Sequence, residues 1–221
     1  YGNRRGAARR AAVRKFGGDR NTENALRNAL HWLARHQEED GRWMPDPGPF
    51  GDERRSSASP GLTGLASLAF MAGGHTREEG LYARNVRKAL DYLLAQQMGD
   101  GAFRLDSVGD PKYTMYNHAL GTLAVAEASN LSEDRPLRES LKSAVRFIAE
   151  SQQNSGGWDY LSEQSTRSDT SVTCWVVMAL VAAHEAGVRV PDATWVRAVM
   201  FLEHMSEKNG VAYEHVAGRI T

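Results

Sequence analysis

Trp32-Leu33-x3-Gln37-x3-Gly41-x-Trp43 returns as Tyr92-Leu93-x3-Gln97-x3-Gly101-x-Phe103 and again as Phe147-Ile148-x3-Gln152-x3-Gly156-x-Trp158. A fourth, degenerate copy reads Phe201-Leu202-x3-Ser206-x3-Gly210, with Tyr213 one place late for the closing aromatic. Successive glutamine positions, Ser206 standing for the last, lie 60, 55 and 54 residues apart. A period of that length marks one supersecondary unit stacked several times. Within each copy the glycine permits a reversing turn. The glutamine amide can satisfy carbonyls left open at a helix end. The closing aromatic buries ~150–250 Å² against the next unit. These residues are therefore read as structural.

Two kinds of helix alternate between the copies. Segments 22–37, 78–97, 136–152 and 193–206 are amphipathic, with apolar residues three and four apart. In the first, Ala25, Leu26, Ala29, Leu30, Trp32 and Leu33 line one side, and Arg27, Asn28, His31 and Arg35 face away. Thr76 and Glu79 have the spacing of a capping box, and Asp192 behind Pro191 can cap the fourth segment. Segments 60–72, 115–129 and 169–186 are apolar or small nearly all round, so other helices must surround them. Gly73-Gly74 and Gly187 end two of these. No stretch alternates with period two, so the chain is read as all-α, with inner helices around an axis and outer helices antiparallel behind them.

The bulk composition agrees with a folded domain: 221 residues, 41% apolar and 24% charged. The absence of an initiating methionine reads as a segment of a longer protein. Cys174 is the only cysteine, which excludes an internal disulfide and a multi-thiolate metal site; among apolar neighbours it is expected to be an inert buried thiol. The zero net charge hides an asymmetry, since residues 1–20 carry seven basic side chains against Asp19 alone. Residues 1–21 are read as a basic linker able to approach an anionic surface. With no aromatics interleaved, no nucleic-acid partner is expected. The repeat domain is assigned to 22–221.

The copies resemble the QW motifs of triterpene cyclases, and the helix-pair pattern is similar to the prenyltransferase/squalene-oxidase repeats of the α/α-toroid superfamily. The resemblance covers roughly residues 22–215. Residues 29–37 and 113–119 look like those of bacterial multi-domain proteins that carry such a toroid with no assigned activity. It implies a partial α/α toroid of about three and a half hairpins, truncated at its C-terminus or closed as a dimer. It also implies a soluble domain, part of an envelope-associated multi-domain protein, with an isoprenoid, another lipid or a peptide segment in the central cavity.

The chemistry of that superfamily is not written in these residues. The Asp-x-Asp-Asp acid of the squalene-type cyclases and an Asp-Asp-x-x-Asp magnesium cluster are both missing from the sequence. Asp169 and Trp175 fall where zinc-dependent prenyltransferases have Asp and Trp, but Ser171 stands at the thiolate position. No metal or cofactor is expected. Tyr113, Tyr116, Asn117 and His118 open one inner segment, and Asp169, Ser171 and Thr173 open the next, with Ser59 and Thr63 opening the first. Parallel inner helices would bring these N-termini to one mouth of the cavity, where helix dipoles favour an anionic group. Two readings stay open for them. In one they bind a ligand; in the other Ser59 and Asp169 cap helices and His118 is a bonded core histidine. Asp106 and Asp110 are read as a loop pair, and 44–59 as a lid or spacer. Against a binding module stands an enzyme of the cyclase or prenyltransferase class with catalytic groups beyond Thr221, or a toroid of the polysaccharide-lyase kind.

Overall fold

The computed structural model describes residues 6–45, 58–104, 114–207, 210–211, 214–216 and 219–220. Eight helices follow one another in these residues: α1 (Gly6–Lys15), α2 (Arg20–Arg35), α3 (Ser59–Ala72), α4 (Ala83–Gln96), α5 (Thr114–Leu131), α6 (Arg135–Glu150), α7 (Thr170–Glu185) and α8 (Asp192–His204). The apolar helices α3, α5 and α7 stack in sequence, α3 on α5 and α5 on α7, and the amphipathic α4 and α6 back onto α3 and α5. Helix α5, in the middle, is buried on nearly every side, as its unbroken apolar sequence requires. The architecture is that of an α/α toroid, present here as three inner–outer pairs (α3/α4, α5/α6, α7/α8) preceded by a lone outer helix, α2.

The repeated motif forms the same joint three times. Gln37 Nε2 donates to Gly41 O and to Asn85 O, at 2.8 and 3.0 Å. Gln97 Nε2 donates to Gly101 O and Ser140 O, both at 2.9 Å. Gln152 Nε2 donates to Gly156 O and Thr194 O, at 2.7 and 3.0 Å. The amide therefore does not serve its own helix end, as the sequence suggested; it clamps its turn to a carbonyl of the next outer helix. Each glycine sits at φ +98°, and a Cβ there would meet the carbonyl of Lys88, Ser143 or Arg197, three residues beyond the carbonyl that the glutamine takes. Glycine is required by conformation and by the close approach of the next helix. Gln97→Ala leaves Ser140 O and Gly101 O without this donor and should cost ~1–2 kcal/mol, read as a lower urea midpoint at unchanged slope.

The closing aromatics are the pins of the joint. Trp43, Phe103 and Trp158 are all buried. The indole N–H of Trp43 donates to Leu33 O and that of Trp158 to Ile148 O, each from ten residues downstream. Their backbone N–H groups donate to Thr63 Oγ1, His118 Nδ1 and Thr173 Oγ1 respectively, at 3.1, 3.1 and 3.0 Å. Thr63, His118 and Thr173 are thus the same position of the repeat, one on each inner helix.

Several local expectations change. Helix α4 begins at Ala83 rather than 78, because Thr76 closes a turn instead of a cap: its hydroxyl accepts from the Glu78 and Glu79 amides and its own N–H donates to Glu79 O. Asp192 is the first residue of α8, whose N-cap is Pro191 with no side-chain bond. Ser59 likewise lies inside α3, and Ala58 is the cap position. Within the basic segment read as a linker, α1 is a ten-residue helix, and Arg9 pairs with Glu23 of α2 through two bonds at 2.6 and 2.8 Å. Asp19 and Thr22 form a capping box at the start of α2. Strands were not expected, yet Ser206–Glu207 pairs antiparallel with Gly210–Val211, and Glu214–Val216 with Arg219–Ile220. Runs of two or three residues are too short to show a period-two pattern. Tyr213, the closing aromatic of the fourth copy, lies outside the described residues.

Candidate functional site

The N-termini of α5 and α7 do come together. Asp169 is the N-cap of α7, its carboxylate accepting from the Ser171 and Val172 amides and from the Ser171 hydroxyl at 2.6 Å. The Tyr116 hydroxyl and Ser171 Oγ are 2.5 Å apart, and the Tyr116 ring lies 5.6 Å from that of Tyr160. Both Tyr116 and Ser171 are partly open to solvent. Asn117 points the other way, where its Oδ1 accepts from Gly61 N–H of α3 at 3.0 Å. Thr173 is taken up by Trp158. Tyr113 lies outside the described residues, as do Asp106, Asp110 and most of the 44–59 loop.

His118 turns toward the outer layer, fully buried between Phe103 and Phe147. Since Phe103 N–H donates to Nδ1, the proton sits on Nε2, which donates to Ala144 O at 3.1 Å. Burial is the main cause that lowers its pKa to about 4, with Arg104 adding to it and Asp100 and the Ala144 bond opposing. The unfolded imidazole titrates near 6.5. Its neutral form in the fold therefore contributes stability that is complete above pH 6.5 and is lost as pH falls toward 4, by roughly 3 kcal/mol. His118→Thr, which installs the residue of the two sister repeats, should flatten that pH 4–6.5 slope in urea melts.

A separate opening lies beside α3. A groove of about 700 Å³ runs between α2 and α3, lined by Trp32, Leu33, Trp43, Leu62, Leu65 and Ala69 among others. Its existence follows from the repeat. Trp32 is 57% exposed, stacked on His36 at 4.0 Å, whereas its equivalents Tyr92 and Phe147 are each 6% exposed. Ala29 is open where Ala89 and Ala144 are buried. The apolar side of α2 read from the sequence is therefore largely uncovered, because no inner helix among the described residues stands before α2 as α3 stands before α4. On α3, Leu62, Leu65, Ala66 and Ala69 occupy the positions that α5 fills with Asn117, Leu120, Gly121 and Ala124 and α7 with Val172, Trp175, Val176 and Ala179. On α5, Asn117 and Leu120 at these positions meet Gly61 and Gly64 of the preceding inner helix, and α7 in turn packs on α5. The groove was missed in the sequence because each of its residues reads as core; the signal available was that an outer helix opens the series.

The far end of the stack is open too. Cys174, Met178 and Val181 of α7 are exposed at positions where Ala119, Leu123 and Ala126 of α5 are buried, so the expectation of a buried thiol fails. Partial burial, with Asp169 adding to it, raises the Cys174 pKa. Among the described residues no three His, Cys, Asp or Glu side chains converge as a metal site would need, and no helix is long and apolar enough to cross a membrane.

Residues 8–130, more than half of the chain, match the family described as the squalene-hopene cyclase C-terminal domain. No curated protein matches the sequence significantly.

Proposed function

The chain belongs to the squalene-hopene cyclase C-terminal domain family, and from that membership we propose that it works by receiving an apolar guest in the groove between α2 and α3. The guest is a chain of isoprenoid type or an apolar helical segment. One observation carries the reading: Trp32 is more than half exposed at a position that the sister repeats bury. Apolar surface kept open in a concave, pre-formed site is the usual mark of a binding surface. The groove walls are aliphatic and aromatic, while His36 and Glu38 stand at its lining as the ionisable groups that can orient a polar end.

The residues at the mouth of the inner helices divide by role in this reading. Tyr116 and Ser171, hydrogen-bonded to each other and partly open, form a polar pole available to a ligand. Asp169 positions Ser171, while Asn117, His118 and Thr173 tie the inner helices to their neighbours. The sequence holds neither the Asp-x-Asp-Asp motif nor the full ligand set of the zinc enzymes, which favours binding over catalysis as the work of these residues.

The test is a calorimetric titration of the protein with a C15 isoprenoid alcohol below its micelle concentration. Saturable one-site binding, abolished by Leu65→Lys and spared by Val181→Arg at the other end of the stack, is the expected result. A linear, non-saturating response that both variants share with the parent protein would remove the groove from the list of binding sites.

A further inference from the structure

The junction between α6 and α8 differs from the one before it in the sign of its charges. Where α4 meets α6, the guanidinium of Arg77 sits between two carboxylates, Asp91 on α4 and the N-cap Asp134 of α6, at 3.1 and 2.8 Å. The Arg77 side chain is largely withdrawn from solvent, so it fills the junction as well as pairing across it. The repeat carries all three positions into the next junction. Arg146 stands 55 residues on from Asp91, the spacing that separates Gln97 from Gln152. Ser132 stands 55 residues on from Arg77, and Val188-Arg189 answers Asp134 in the following turn. The carboxylates have gone, and the arginine between them has shrunk to a serine whose hydroxyl donates to Ala128 O.

What remains is a hollow of about 590 Å³. Val145, Ala149, Val188 and Pro191 give it an apolar lining, and Lys142, Arg146 and Arg189 stand around it as exposed cations. Lys142 is partnered by Glu139 at 2.9 Å, but Arg146 and Arg189 have no ion pair or side-chain hydrogen bond among the described residues. Unlike the α2–α3 groove, this hollow lies between two consecutive hairpins and owes nothing to a missing neighbour. We propose that it binds an amphiphilic carboxylate, the head held by Arg146 and Arg189 and a short apolar stem laid on the lining. The sister junction holds a guanidinium between two carboxylates; the inverted set is suited to a carboxylate between two guanidinium groups, whose planar forks match its geometry. Unpaired like charges around a concave apolar surface repel one another in a setting less screened than open water, and an anion relieves that repulsion. The lining supplies selectivity, since a stem removes it from water and a bare ion does not. Among the described lining residues Glu150 alone is acidic, and it favours a singly charged head over a doubly charged phosphate.

The experiment titrates decanoate, below its micelle concentration and at low salt, into the whole protein by calorimetry. Saturable one-site binding is expected, weakened about tenfold or more by Arg146→Gln and likewise by Arg189→Gln. Both side chains are exposed, so neither exchange threatens the fold. Leu65→Lys should leave this binding unchanged, which tells the site from the α2–α3 groove. Acetate, the head without a stem, and decanol, the stem without the charge, should each bind far more weakly here, and Glu150→Gln should tighten decanoate. Binding lost in Leu65→Lys and kept in both arginine variants would place the carboxylate in the α2–α3 groove and overturn the proposal. Acetate or inorganic phosphate binding as tightly as decanoate would reduce the hollow to a patch that gathers counterions and overturn it too. Absence of saturable decanoate binding overturns it outright, whatever the C15 alcohol does in the α2–α3 groove.

Discussion

Trp158→Ala should lower the free energy of unfolding by about 3–5 kcal/mol, the cost of emptying a large aromatic site in a packed interior. Trp158 is fully buried, and its indole N–H bonds Ile148 O at 2.8 Å. Its backbone N–H is tied to Thr173, so the neighbouring chain is held in place and cannot collapse into the void. The same substitution at Trp43 should cost clearly less, because that side chain borders the open groove and solvent can enter the space it leaves. Guanidinium melts of the two variants decide the matter: equal losses, or a loss at position 158 below ~1 kcal/mol, would contradict the role of the aromatic as the pin of the joint.

The second large effect belongs to Gly156→Ala, which adds one methyl group to a turn rather than removing a side chain. The left-handed conformation costs an L-residue about 1–2 kcal/mol, and overpacking against the Arg197 carbonyl adds roughly 1–3 more. The added Cβ meets backbone on the next outer helix, which has no rotamer to yield, so α8 must shift away from the turn. The expected result is a destabilisation similar to that of Trp158→Ala, with a fall in protection of the α8 amides in hydrogen exchange. A Gly17→Ala control has the positive φ but open space around the new methyl, and should show the conformational share alone.

The fold was legible because the repeat is written in residues that cannot be exchanged. Glycine at φ +98°, a glutamine that reaches two carbonyls and an aromatic at a fixed distance leave a periodic trace in the sequence. Inner and outer helices were legible for a second reason: α5 must be apolar all round and α6 on one side only. Helix starts were read less well. Thr76 and Asp192 have cap-like spacing, but whether a hydroxyl or carboxylate closes a turn or a helix depends on backbone angles that spacing does not carry. The polar residues at the inner N-termini were legible as a group. Their partners were not, since His118 bonding Phe103 and Asn117 bonding Gly61 are contacts between turns of different hairpins. The groove escaped because Leu62, Leu65 and Ala69 are indistinguishable in type from core residues; what exposes them is the lack of a neighbour, and the sequence of a residue does not record its surroundings.

The glutamine clamps join each outer helix only to its successor: Gln37 to α4, Gln97 to α6, Gln152 to α8. Cooperativity along the array is then a chain of nearest-neighbour couplings, and the protein should open as a zipper does, from its ends. Helix α5, with a partner on each flank, becomes the last segment to exchange its amide hydrogens, and the lone α2 one of the first. Gln97→Ala weakens the middle coupling without cutting it, because the packing of α3 on α5 spans the same junction, so a single transition survives.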